Sequence, residues 1–172
     1  PGVYMGSVTA WNPTDTLAGP LFTLVNTVVV PHDLGARPLV EEGRSIAPAK
    51  VQRYFLRVPK KYDAREGTRL IVFLHGSNMN GYDYLRSFEA KKWCEEDILC
   101  CPNGENGTDP YGQNNFGFES ASLVADVTEE LQKAFKTTIT YVGGHSQGGF
   151  LTYSVILLFP DLYQGAIPMA GI

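Results

Sequence analysis

The sequence predicts an α/β protein: a mainly parallel sheet with helices on both faces. Two observations carry this expectation. From about residue 52 onward, short apolar or β-branched runs alternate with longer stretches whose apolar residues recur at helical spacing. One of the short runs, Arg69-Leu-Ile-Val-Phe-Leu74, is apolar almost throughout, as a strand covered on both faces must be. Strands separated by helices are joined by crossovers, and crossovers make neighbouring strands parallel.

The elements follow in chain order. Residues 1–50 read differently from the rest and are expected to form an N-terminal β arm. Phe22-Thr-Leu-Val-Asn-Thr-Val-Val-Val30 is β-branched and strand-like, between the turn residues Asn12-Pro13 and His32-Asp33-Leu34-Gly35. The lone His32 reads as a turn residue, not a ligand. Residues 51–172 then form the second unit. Tyr54-Phe-Leu-Arg-Val58 is a strand halted by Pro59, and residues 69–74 are the next. Residues 82–93, with Leu85, Phe88 and Trp93, predict a helix. Ile98-Leu-Cys-Cys101 is a short strand before Pro102. Leu123, Val127, Leu131 and Phe135 fall four apart, on one helical face. Residues 138–142 predict a strand, 150–159 an apolar helix stopped by Pro160, and 165–170 a last strand.

Composition excludes some functions. The chain has 172 residues, 44% hydrophobic and 19% charged, with a formal net charge of −4, the balance of a folded domain. A mildly acidic chain without basic clusters has little grip on nucleic acid, so no nucleic-acid partner is expected. Its longest apolar stretches, residues 70–74 and 155–159, are far short of the roughly 20 residues that span a bilayer, so no membrane role is expected. Cys94, Cys100 and Cys101 are too few for a disulfide scaffold and too bunched for a zinc site. They read as small buried hydrophobes, with one bridge, for instance Cys94 to Cys100, as the alternative in an exported protein. Asn106-Gly107-Thr108 is a glycosylation sequon, meaningful only in a secreting eukaryote.

The chemistry is concentrated at two turns. Gly144-His145-Ser146-Gln147-Gly148 is a Gly-x-Ser-x-Gly pattern lying between a strand and an apolar helix. A sharp strand-to-helix bend holds such a serine in a strained conformation with its hydroxyl above the sheet, and side chains at the flanking glycines would collide with strand and helix. Ser146 is the candidate nucleophile. The N–H of Gln147, at the helix start, is a candidate oxyanion donor. His75-Gly76-Ser77-Asn78, directly after the strand ending at Leu74, is the second turn, and the N–H of Ser77 is the other candidate donor, with Asn78 as fallback. The His75 side chain is expected to pack the turn. The loop of residues 102–118 carries Tyr111, Phe116 and Phe118 at a strand's carboxyl end. It either lines an acyl or aromatic-ester pocket or is a surface loop with packing aromatics.

Phe73-Leu-His-Gly-Ser77, Pro102-Asn103-Gly104, Gly144-His-Ser-Gln-Gly-Gly149 and Phe159-Pro-Asp-Leu-Tyr-Gln-Gly165 occur in one order. Together they resemble the α/β-hydrolase superfamily, especially its polyhydroxybutyrate-depolymerase and feruloyl-esterase-like branch, over residues 52–172. The resemblance implies a Ser-His-Asp esterase that needs no metal or cofactor, acts on a small-molecule or polymeric ester and is exported. It makes residues 51–172 the N-terminal portion of an α/β-hydrolase domain, and the fold an incomplete α/β-hydrolase fold. In this family the acid and the histidine follow the serine. Here no histidine follows Ser146, and the one acid, Asp161 after Pro160, reads as a turn residue. The triad Asp and His are therefore expected outside this chain, on a C-terminal complementary chain or segment. A serine peptidase on the same scaffold and a non-catalytic binding module are the alternatives.

Overall fold

The computed structural model describes residues 3–5, 27–33, 51–59, 62, 67–104, 109, 111–117 and 119–171. Its strands are β1 (Val3–Met5), β2 (Thr27–Asp33), β3 (Val51–Arg57), β4 (Arg69–Leu74), β5 (Ile98–Pro102), β6 (Ile139–His145) and β7 (Gly165–Met169). They form one sheet in the order β1-β2-β3-β5-β4-β6-β7. β5, β4, β6 and β7 run parallel; β3 is antiparallel to both β5 and β2. Three helices, α1 (Gly81–Ala90), α2 (Ser120–Phe135) and α3 (Gln147–Leu158), make the crossovers, and a 3-10 turn (Pro160–Leu162) leads into β7.

The two-residue period of the strands divides their apolar side chains between two cores. Tyr54, Leu56, Leu70, Val72, Leu74, Ile98, Cys100 and Val142 face one side, against Val124, Val127, Leu131 and Phe135 of α2 and Val155 of α3. Phe55, Phe73, Leu99 and Cys101 face the other, against Leu85 of α1. That division is why the central strands are apolar at every position. Burying each large side chain stabilises the fold by about 1.5–3 kcal/mol. The expected parallel α/β architecture is the one observed.

Some boundaries move, for local reasons. α1 begins after Asn80, whose side chain accepts from the Asp83 N–H at 2.8 Å, a standard N-cap. It ends at Ala90, not at Trp93, because Lys92 takes a positive φ of 55°. Trp93 is consequently exposed, under the Lys91 ammonium, and does not belong to the helix. β6 extends three residues past the predicted strand, so that Gly143-Gly144-His145 are still extended, and α3 starts three residues earlier, at Gln147. The backbone of His32 and Asp33, read as turn residues, lies in β2 instead. Pro31 stands beyond the stretch Thr27 to Val29 that pairs with β1, where a missing donor is tolerated. Residues 22–26, the Asn106 sequon and Phe118 lie outside the described residues.

All three cysteines are free. Cys100 and Cys101 are fully buried on opposite faces of β5, and burial pushes both thiols up, so the small-hydrophobe reading holds for this pair. Cys94 is half-buried beside the loop carbonyls that accept from Arg57, and the Cys94–Cys100 bridge is not formed. No helix among the described residues is long and apolar enough to cross a membrane.

Candidate active site

The parallel strands aim three of their carboxyl ends at one place. β6 runs straight into Ser146, which adopts φ 54° and ψ −116°, and α3 starts at the next residue. A non-glycine residue in such backbone costs on the order of 1–3 kcal/mol and needs surroundings that enforce it. Here two bonds do so: the Ser146 N–H donates to the Met169 carbonyl at 2.9 Å, and the Ser146 carbonyl accepts from Phe150 at 3.1 Å. The neighbouring glycines admit no side chain. A Cβ on Gly144 would lie 2.3 Å from the Gly148 carbonyl oxygen. One on Gly148 would lie 2.3 Å from that of Leu74 and 2.6 Å from that of His75, and one on Gly149 would lie 2.5 Å from that of Met169. The bend expected from the Gly-x-Ser-x-Gly pattern is present, and Ser146 is half-buried at its tip.

The turn after β4 lies alongside. A Cβ on Gly76 would be 3.5 Å from the Ser146 Cβ, so the two turns touch. His75 is fully buried, with its ring stacked on Phe116 at 4.4 Å between centroids. Its Nδ1 stands 2.8 Å from the Gly76 carbonyl, and its Nε2 accepts the Gly104 N–H at 3.1 Å. A nitrogen facing a carbonyl must donate and one facing an N–H must accept, so the ring is neutral, with its proton on Nδ1. Burial lowers the His75 pKa and outweighs the Gly76 bond, which acts the other way. The side chain expected merely to pack the turn thus ties it to the turn after β5.

This bond also orients a donor. The Gly76 carbonyl accepts from His75 and, at 3.3 Å, from the Met79 N–H. In a trans peptide the N–H points opposite the carbonyl, so the Ser77 N–H is turned away from His75. The Asn78 N–H is bonded to the Asn115 side chain at 3.0 Å, which leaves the fallback donor committed elsewhere. Asn78, in the turn after β4, has a φ of 56° and Ala170, just past β7, one of 49°, so positive-φ residues follow β4 and β7 as well as β6.

A pH effect on stability follows from His75. The unfolded chain binds a proton at this histidine near its ordinary value of 6.5, and the folded chain binds it only at lower pH. Stability contributed by the neutral ring is therefore complete above that value. It falls as pH drops below about 6.5, until the folded ring itself protonates. Denaturant unfolding at pH 7.5 and 5.5 should show a smaller acid loss in His75→Gln than in the unsubstituted protein. Equal losses would refute the assignment.

The loop after β5 is anchored over both turns. The Asn114 N–H donates to the Met79 carbonyl at 2.9 Å, and Asn80 Nδ2 donates to the Tyr111 carbonyl at 3.1 Å. Asn78 and Asn115 also bond side chain to side chain. Gln147 closes it from the elbow: its Oε1 accepts the Phe116 N–H at 3.3 Å and its Nε2 donates to the Phe116 carbonyl at 3.2 Å. Of the loop aromatics, Phe116 is buried on His75, and Tyr111 is half open, packed edge-on against Tyr82. The Gln147 side chain was not singled out from sequence, because an amide beside the serine carries no signal until the loop above it is known.

The remaining candidates separate. His145 is exposed, with Nδ1 2.9 Å from the Tyr84 hydroxyl. Neither it nor His75 is hydrogen-bonded to the Ser146 hydroxyl. Asp161 is exposed in the 3-10 turn at the far end of α3 from Ser146, as a turn residue would be. Among the described residues no three His, Cys, Asp or Glu side chains converge to hold a metal ion.

Solved structures with similar folds include esterases and serine hydrolases. A thermostable esterase superposes with a TM-score of 0.58 at 18% identity, over 86% of this chain and 41% of its own. S-formylglutathione hydrolase from Staphylococcus aureus gives 0.56 at 14% identity, over 84% and 57%. A ferulic acid esterase gives 0.54 at 16% identity, over 86% and 60%. The chain spans about half the length of these proteins and has their α/β-hydrolase fold, as the incomplete fold expected from sequence requires. No protein-family model and no curated protein matches the sequence.

Proposed function

We propose that this chain is the nucleophile-bearing part of a serine hydrolase that cleaves carboxylic esters. The observation that carries the reading is the strained Ser146 backbone at the junction of β6 and α3, with the Gly76 turn in contact beside it. In this reaction the Ser146 oxygen attacks the ester carbonyl carbon while an imidazole takes its proton. The carbonyl oxygen becomes an oxyanion between the N–H groups of Gln147 and Ser77. The intermediate collapses, the C–O bond to the alcohol breaks, and the alcohol leaves with the proton from the imidazole. Water then hydrolyses the acyl-serine by the same steps. Each donor is worth roughly 2.7–4 kcal/mol to the transition state in comparable sites.

The imidazole and its carboxylate come from residues outside this chain, as a C-terminal complement. Two features support that. His75 and His145 are both bonded elsewhere. The outer face of α3 and the neighbouring β7 also carry exposed Phe150, Tyr153, Leu157, Leu158, Ile167 and Met169, with Leu157 79% exposed. A helix apolar on all sides is normally covered, and among the described strands β7 has only β6 beside it. A polypeptide extending the sheet past β7 would cover both and stand at the carboxyl edge near Ser146. The test is labelling of the intact protein, complement included, with a fluorophosphonate, followed by peptide mapping. Phosphonylation of Ser146 together with ester turnover is expected; a folded, complete protein that leaves Ser146 unlabelled overturns the reading.

A further inference from the structure

We infer that Tyr84 is a positioning residue that locks the end of β4 to the serine elbow, its ring packed on Phe73 and its hydroxyl bonded to His145; the inference rests on the hydrolase reading above and names a further part of the same site. Tyr84 projects from α1, an element that contributes neither Ser146 nor the candidate oxyanion donors. Its ring stacks on Phe73 of β4, with centroids 5.7 Å apart, and lies 6.4 Å from the His75 ring. Its hydroxyl reaches past these to His145, with Oη 2.9 Å from Nδ1. Burial raises the phenol's pKa, and the nearby Gly76 backbone acts the other way. A phenol O–H is a stronger donor than a neutral imidazole N–H, so the Tyr84 hydroxyl donates to Nδ1 of His145, which holds the imidazole with its own proton on Nε2.

Tyr84 therefore ties β4, which leads into the Gly76 turn, to the residue before Ser146. Gly76 is the point of closest approach: a Cβ there would lie 3.3 Å from His145 Nδ1 and 3.5 Å from Ser146 Cβ. The separation between the nucleophile and the Ser77 N–H is set by how these two turns are held. Small displacements of an oxyanion donor are costly to rate because the donor must meet the developing charge at hydrogen-bond distance. Packing alone does not call for the hydroxyl, since phenylalanine would stack on Phe73 and His75 in the same way. The hydroxyl adds only the bond to His145.

The test uses the intact protein with its complement. Tyr84→Phe should slow fluorophosphonate labelling of Ser146 about five- to tenfold, the size of one hydrogen bond's net worth. With an activated acetate ester the loss should fall on kcat, with KM within about twofold. The double variant with His145→Phe should be no slower than the slower single one, because both remove one bond. Nitrogen-15 spectra of the imidazole should show His145 Nδ1 as a hydrogen-bond acceptor in the unsubstituted protein and a tautomer mixture in Tyr84→Phe, which a packing role would not produce. If Tyr84→Phe fails to fold, His145→Phe removes the same bond from the other partner and must show the same kcat loss. Normal labelling of the unsubstituted protein with no slowing in either variant overturns this inference and leaves the hydrolase reading standing. Absence of labelling in the unsubstituted protein overturns both.

Discussion

Replacing Ser146 with alanine should lower ester turnover by on the order of 10⁶-fold in kcat and abolish fluorophosphonate labelling, the scale seen when a triad nucleophile is deleted. Stability should barely change. Alanine at this position inherits the same positive φ and the same two backbone bonds, from Ser146 to Met169 and from Phe150 to Ser146. Ser146→Gly separates chemistry from strain. It loses activity equally, but glycine occupies φ 54° without a steric penalty, so any gain in unfolding free energy over Ser146→Ala measures what the bend stores. Steady-state kinetics and denaturant unfolding of the two variants provide both readouts. Residual turnover within tenfold of the unsubstituted protein would mean that another residue is the nucleophile.

Gly148→Ala should be strongly destabilising. Its Cβ would sit 2.3 Å from the Leu74 carbonyl oxygen and 2.6 Å from that of His75. Those atoms cannot retreat: β4 is paired to β5 on one side and β6 on the other, and the His75 ring is fixed by Gly76 and Gly104. The start of α3 must lift instead. A loss of about 3 kcal/mol is expected, lowering Tm by roughly 6–12 °C for a domain of this size. Serine labelling should fall as the elbow opens. Gly165→Ala is the control, because a Cβ there meets only the Tyr141 ring at 3.0 Å, and a ring can swing aside. A loss within about 1 kcal/mol is expected for it. Equal melting points for the two variants would contradict the steric account.

The covered face of α3 and the uncovered one differ in a way composition could not express. Val155 is buried, whereas Leu157 and Leu158 two and three residues on are largely open. A helix apolar on every side has no hydrophobic stripe, so its sequence does not say which face meets the sheet. The Trp93 discrepancy has the same origin: an aromatic near the end of an amphipathic run looks like a core residue until a positive φ at Lys92 ends the helix before it.

The sequence by itself determined the features that depend on a few adjacent residues. These are the two-faced central strands, the four-residue spacing of α2, the glycines that permit the elbow, and the placement of Ser146 between a strand and a helix. Such patterns are local geometry written in residue type, so they can be read without knowing what lies opposite. The tertiary structure alone decided the strand order, the His75 tautomer, the Gln147 grip on Phe116 and the Tyr84 bond to His145. Those bonds join residues 29, 31 and 61 positions apart. A hydrogen bond across that much chain exists only once the sheet has brought two particular turns together, and no property of either residue alone specifies its partner.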